Sequence, residues 1–127
     1  MAVTIVNTKN APAPIGPYSQ AVRAGDTLYV SGVIALDPAT GQLVDAGIAA
    51  QAERVFASLA AIASAAGGSL ANAVKLTIYL TDLADFAAVN EQMTRAFRAP
   101  FPARATLGVK ELPRGAALEV DAVLFLG

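Results

Sequence analysis

Two charged side chains, Arg104 and Glu119, stand inside strongly apolar strand patterns near the end of the sequence. Side chains alternate between the two faces of a strand. Arg104 therefore shares a face with Thr106, and Glu119 shares a face with Asp121. Burying a guanidinium or a carboxylate is costly unless the charge is paired. Each of the two must accordingly pair with an opposite charge, reach water or bind a ligand.

The composition limits the chemistry that these residues can join. The 127 residues contain no histidine and no cysteine. This excludes Ser-His-Asp and Cys-His nucleophilic sites and the usual zinc sites. The formal net charge is −1 and no two basic residues are adjacent, so a nucleic-acid surface is not expected. We recognise neither a signal peptide nor a membrane span of about 18 bulky apolar residues, and expect a soluble, cytoplasmic protein.

Alternation and turn residues predict the elements that position these side chains. The predicted strands before Arg104 cover residues 2–7, 18–24, 27–31 and 74–80, and the last two strands carry Arg104 and Glu119. The first helix is predicted at 48–66. The second is capped by Asp82 and buries an apolar face made of Phe86, Val89, Met93 and Phe97. Packing both helices on one face of a mixed sheet is economical, within a single domain of residues 1–127.

Several motifs resemble those of the YjgF/RidA family of imine and enamine deaminases. The motifs are Pro102-Ala103-Arg104-Ala105-Thr106, Leu118-Glu119-Val120, Ile15-Gly16-Pro17-Tyr18-Ser19-Gln20-Ala21, Ser31-Gly32 and Val89-Asn90. They occur in the family's order and span nearly the whole chain. The resemblance implies an α+β domain similar to chorismate mutase, assembled as a homotrimer with clefts between subunits.

The same resemblance implies a hydrolase that needs no cofactor and no metal. Its substrates would be small 2-imino or enamine acids, such as 2-iminobutanoate and 2-iminopropanoate, and its products 2-oxo acids and ammonia. Arg104 would hold the substrate carboxylate, because its planar fork matches that group. Glu119 would orient the attacking water and accept its proton. The alternative is structural: Arg104 pairs with Glu119, Asp121 or Glu111, and Glu119 is a salt-bridged strand residue.

Four further residues are candidates for substrate binding. Tyr18 would offer an aromatic wall and a hydroxyl, or else is a core or interface tyrosine. Gly32 permits close approach of the backbone to a ligand, or marks a bulge or strand exit. Asn90 lies near the buried face of the second helix, where it binds substrate or is a satisfied core residue. Thr106 stands where many family members have cysteine; it keeps a hydroxyl but supplies no thiolate, and strand packing alone also explains it.

Two other functions remain open from the sequence. One is a non-enzymatic, trimeric or chaperone-like protein that binds a small carboxylate; this role needs Arg104 but not Glu119. The other is a ribonuclease or translation inhibitor, which the absence of histidine and the acidic balance of charges argue against. The last strand is apolar on both faces, and two helices cover only one of them. A further subunit is therefore expected on the other face.

Overall fold

Alternating apolar residues produce one six-stranded mixed sheet, which two helices cover. The structure, a computed structural model, describes residues 2–127. The strands are β1 Val3–Val6, β2 Ala21–Ala24, β3 Thr27–Ile34, β4 Ala73–Leu80, β5 Ala103–Gly108 and β6 Leu118–Phe125. The helices are α1 Ile48–Ala65 and α2 Phe86–Ala96. The strand order is β1-β2-β3-β6-β4-β5, and only the β4–β5 pair is parallel. This confirms the predicted α+β class.

The core lies between the helices and one face of the sheet. The sheet supplies Leu28, Leu76, Ile78, Leu118, Val120 and Leu124, all of them buried. The helix α1 supplies the predicted apolar stripe, which includes Val55, Phe56, Leu59 and Ile62. It ends one residue earlier than predicted, before Gly67, whose positive φ of 87° suits glycine at a helix C-terminus.

The opposite face of the sheet carries no helix and exposes large apolar side chains. We call it the open face, and its exposed apolar residues are Val3, Ile5, Tyr29, Leu107 and Phe125. An apolar surface of this kind is rare on a subunit that stays alone in water. Separately, no helix in residues 2–127 has both the length and the apolarity to cross a membrane.

The strand β3 is longer than predicted. The sequence suggests an exit at Ser31-Gly32, but β3 continues to Ile34. Its pairing with β6 shifts register between Val30 and Val33, which marks a β-bulge at Ser31-Gly32. The bulge lets the strand bend there without ending, and it brings Gly32 beside β6.

The strand β2 begins at Ala21, not at Tyr18. The reason is the buried side chain of Gln20, which binds the backbone of the preceding segment. Its Oε1 accepts from the Thr8 N–H at 2.7 Å, and its Nε2 donates to the carbonyls of Thr8, Ala11 and Pro12 at 3.0, 3.3 and 2.8 Å. Residues 8–20 are therefore held as a loop beside the second half of β3.

The start of α2 also differs from the prediction. Asp82 acts as a cap, but it accepts from the Ala84 N–H at 2.9 Å within a 3₁₀ turn, Leu83–Asp85, that precedes the helix. The helix itself begins at Phe86. The prediction that Phe86 belongs to the buried face is wrong, because its side chain is exposed.

Candidate active site

Arg104 lies on the edge strand β5 and faces α2. It pairs in register with Leu76, whose side chain belongs to the core, so Arg104 points to the helix-covered face. Its Nη1 donates to Asn90 Oδ1 at 2.5 Å and lies 3.6 Å from Met93 Sδ. The guanidinium carbon is 5.1 Å from the centroid of the Phe86 ring, a distance at which a cation is attracted to the ring face. Phe86 and Asn90 thus hold the arginine from two sides.

No carboxylate within residues 2–127 neutralises Arg104. The ion pairs in this part of the chain join Arg23 to Asp26 and Arg95 to Glu91. Arg104 is exposed, so its remaining N–H groups are accessible to a ligand. The structural alternative, a salt bridge to a carboxylate of the same chain, is therefore not what the structure shows.

A cleft of about 450 Å³ opens beside this arginine. It is lined by Asn90, Met93, Thr94, Phe101, Pro102 and Arg104. Met93, Phe101 and Pro102 give it an apolar side, and Arg104 supplies the positive charge. Asn90 is half-buried and its amide oxygen is bonded to Arg104, so it lies at the cleft and is not a residue of the apolar core.

Thr106 follows Arg104 on the same face of β5, where it pairs with the buried Ile78. Its Oγ1 is buried and makes no hydrogen bond with any residue of the range 2–127. An unsatisfied buried hydroxyl costs about 1–3 kcal/mol. Strand packing explains the β-branched carbon but leaves this buried oxygen without a partner.

Glu119 lies on the open face, directly opposite Tyr79 in β4. Gly32 lies against its carboxylate: a Cβ placed on Gly32 would stand 2.5 Å from Glu119 Oε2 and 2.8 Å from its Cδ. Only a residue without a side chain leaves room for the carboxylate in this position. Burial raises the pKa of Glu119, and the negative charge of Asp121 raises it further.

Tyr18 shares a small cavity with Gly32. The cavity lies between the loop 12–20 and the second half of β3, with Ser31 in its wall. The Tyr18 hydroxyl accepts from the Ile15 N–H at 3.2 Å, and the side chain is exposed. Tyr18 is therefore a surface tyrosine next to Gly32 and not a core residue.

The six candidate residues form two separate groups within one chain. The Arg half contains Arg104, Asn90 and Thr106, on the helix-covered face at the edge of the sheet. The Glu half contains Glu119, Gly32 and Tyr18, and its carboxylate lies on the open face. The strand β4 separates β5 from β6, so the two halves stand about 10 Å apart across the sheet as well as on opposite faces.

Sequence reasoning missed Phe86 as a neighbour of Arg104. Phe86 stands four residues before Asn90 on α2, and residues at this spacing lie on the same side of a helix. That spacing was a usable signal. A large aromatic residue at the start of an amphipathic helix also fits the core-facing stripe, so the pattern alone does not separate the two positions.

Comparisons with known proteins agree along nearly the whole chain. Residues 8–125 match the family model described as endoribonuclease L-PSP. The RutC family protein y4sK of Sinorhizobium fredii is 50% identical over 121 residues, which are 95% of this chain and 96% of that protein. The 2-iminobutanoate/2-iminopropanoate deaminase of Homo sapiens is 44% identical, covering 97% of this chain and 90% of that one. The crystal structure of RidA from the Antarctic bacterium Psychrobacter sp. PAMC 21119 superposes with a TM-score of 0.94 at 46% identity, covering 96% of this chain and 98% of that chain.

Proposed function

This chain belongs to the YjgF/RidA family, and on that premise we propose that it hydrolyses small 2-imino and enamine acids to 2-oxo acids and ammonia. The proposed substrates include 2-iminobutanoate and 2-iminopropanoate, after the names of relatives that are 40–44% identical. The observation that carries the proposal is the uncompensated Arg104 at the rim of a cleft, held by Asn90 and Phe86.

The Arg half binds the substrate in this proposal. Two parallel N–H groups of Arg104 donate to the carboxylate of the imino acid, which fixes its orientation. Asn90 keeps the guanidinium in place, and Phe86 covers it from the side. The Thr106 position, two residues after Arg104 on the same face of β5, offers polar contacts to the imine nitrogen, while the apolar side chains of the cleft accept the short aliphatic side chain.

The Glu half activates water. A water oxygen attacks the imine carbon and forms a C–O bond, while Glu119 takes the proton that the water loses. The C=N π pair moves to the nitrogen, to which Glu119 returns that proton, and a neutral carbinolamine results. Glu119 then carries the proton of the new hydroxyl to the amine nitrogen, the C–N bond breaks, and ammonia leaves. A carbonyl forms at the carbon. The raised pKa of Glu119 suits both transfers, because a general base works best when its pKa approaches the working pH.

The two halves require two copies of the chain. Arg104 and Glu119 lie on opposite faces of one sheet, so a small substrate cannot touch both within a single subunit. We propose a homotrimer in which the Arg half of one subunit meets the Glu half of its neighbour. The apolar open face supports this arrangement, because a closed ring of three subunits buries it. Light scattering should report three times the chain mass of 12.9 kDa, and a stable, active monomer would contradict the shared site.

Ammonia release from freshly formed imines tests the activity. An amino-acid oxidase or a dehydratase generates the imine in solution, and the rates of ammonia and 2-oxo acid formation are compared with and without this protein. Acceleration above the spontaneous rate supports the deaminase. Binding of the carboxylate without acceleration supports a binding protein instead. RNA cleavage is not proposed, because the chain has no histidine and the cleft offers a single arginine.

A further inference from the structure

Two residues beside Glu119 have no role in the chemistry described so far. Asp121 follows Glu119 by two positions on β6, so both carboxylates lie on the open face. Tyr79 in β4 stands directly opposite Glu119. Its hydroxyl nevertheless donates to Asp121 Oδ2, at 2.8 Å. The Tyr79 side chain therefore bonds Asp121, the next carboxylate on the same face, and not Glu119, which it stands opposite.

This arrangement leaves the Glu119 carboxylate without a donor. Within residues 2–127 no hydrogen bond and no ion pair reaches it, and the phenol opposite is committed to Asp121. The backbone at Gly32 closes the other side. Glu119 is therefore a half-buried carboxylate whose oxygens remain available to water, next to a second carboxylate that has a partner.

The surroundings favour a proton on Glu119. Burial and the charge of Asp121 raise its pKa. The hydrogen bond to Asp121 is the chief reason that the pKa of Tyr79 is raised, so the phenol stays a donor at neutral pH. The other ionisable groups that the adjoining strands place on the open face are Lys75 in β4 and Tyr29 in β3, both of them opposite Val123.

We propose that Tyr79 and Asp121 form a positioning pair that tunes Glu119 as a proton acceptor and donor during imine hydrolysis. Asp121 supplies a nearby negative charge, which favours the protonated form of Glu119. Tyr79 holds Asp121 in place and withdraws part of that charge through its hydrogen bond. The proposal rests on the proposed function, because that function gives Glu119 its task.

Two conservative changes should act on Glu119 in opposite directions. Asp121→Asn removes the neighbouring charge, keeps the shape and leaves an oxygen for Tyr79 to bond, so Glu119 should titrate at lower pH. Tyr79→Phe keeps the ring and removes the donor, so the Asp121 charge acts undiminished and Glu119 should titrate at higher pH. Tyr29→Phe is the matched control, because it removes a hydroxyl from the same face without touching Asp121.

The titration can be measured without any substrate. The sequence holds four glutamates, Glu53, Glu91, Glu111 and Glu119, so protein labelled with ¹³C at the glutamate side-chain carboxyl gives few signals. Glu119→Gln identifies the signal of interest. We expect its midpoint to fall in Asp121→Asn, to rise in Tyr79→Phe and to stay in place in Tyr29→Phe. An unchanged midpoint in both test variants, in protein with native circular dichroism, would overturn the proposal.

A pH–rate profile then connects the titration with catalysis. Ammonia release is measured over a pH series, with the spontaneous hydrolysis subtracted at each pH. The acid limb of the profile should shift to lower pH in Asp121→Asn and to higher pH in Tyr79→Phe, by the same amount as the Glu119 midpoint. A midpoint that moves while the acid limb stays fixed would refute the catalytic role of the pair. Wild-type protein that titrates as expected but releases no ammonia would instead refute the proposed function.

Discussion

Mixing two inactive variants tests whether one active site is built from two subunits. Arg104→Ala removes the carboxylate clamp, and loss of two charge-assisted hydrogen bonds of about 1.5–3 kcal/mol each should cost at least about 10²-fold in activity. Glu119→Gln keeps the shape of the side chain and removes the proton acceptor, a loss of about 10²–10⁴-fold. If the proposed homotrimer forms, each variant alone should therefore be nearly inactive while remaining folded.

Because Arg104 and Glu119 lie on opposite faces of the sheet, each proposed site takes them from two different subunits. The number of intact sites in a mixed trimer then sets how much activity is recovered. In a mixed ring of three, whichever variant is in the majority, a single cleft combines an intact Arg104 from one subunit with an intact Glu119 from its neighbour. Mixed trimers should thus recover about one third of the wild-type activity, well above either parent. If each chain formed its own complete site, every site would carry one defect and no recovery would occur.

The assay needs trimers that contain both variants. The two chains are co-expressed with different affinity tags and purified over both columns, so that homotrimers are removed. Ammonia release from 2-iminobutanoate formed in situ is then compared with each homotrimer and with an unexchanged mixture of the two. Activity of the mixed trimers at the level of their parents would refute the shared site, provided that light scattering confirms three chains.

Three further changes test single contacts. Arg104→Lys keeps the charge but loses the fork, so activity should fall at least about tenfold; Arg95→Lys, on an exposed arginine of α2, is the matched control, and equal turnover in both would contradict the clamp. Phe86→Leu removes a cation–π contact of about 0.5–1 kcal/mol at an exposed site, which should raise KM about two- to fivefold; an unchanged KM would show that the ring does not support Arg104. Gly32→Ala forces the Glu119 carboxylate to move, so activity should drop about 10- to 10²-fold with little change in the melting temperature. Full activity in that variant would separate Gly32 from the site.

The sequence predicts the core elements well because their signals are local. Alternation of apolar residues identified β4 and β6, and one apolar stripe identified α1 nearly to its last residue. The face that Arg104 shares with Thr106 also follows from alternation. Alternation does not show which of the two faces the helices cover, because this depends on the parallel pairing of β5 with β4.

The remaining errors come from contacts between distant residues. The strand β3 continues past Gly32 because it pairs with β6 again after the bulge. The residues near Gly32 in the sequence give no signal of this pairing. Tyr18 leaves the predicted strand because the Gln20 side chain binds the backbone up to 12 positions earlier. Phe86 lies outside the core, and its ring contacts Arg104, which is 18 residues later in the chain.

The Gln20 side chain also makes the N-terminal loop cooperative. The buried side-chain amide accepts from the Thr8 N–H, and its two N–H groups contact three carbonyls between Thr8 and Pro12, so that one N–H is shared. The Gln20 backbone carbonyl accepts from the Ser31 N–H at 3.0 Å. If this side chain swings out, all of its bonds to the loop break together. Amide hydrogen exchange at Thr8 should therefore report the opening of the whole loop, and its rate in Gln20→Ala should approach that of an unfolded chain.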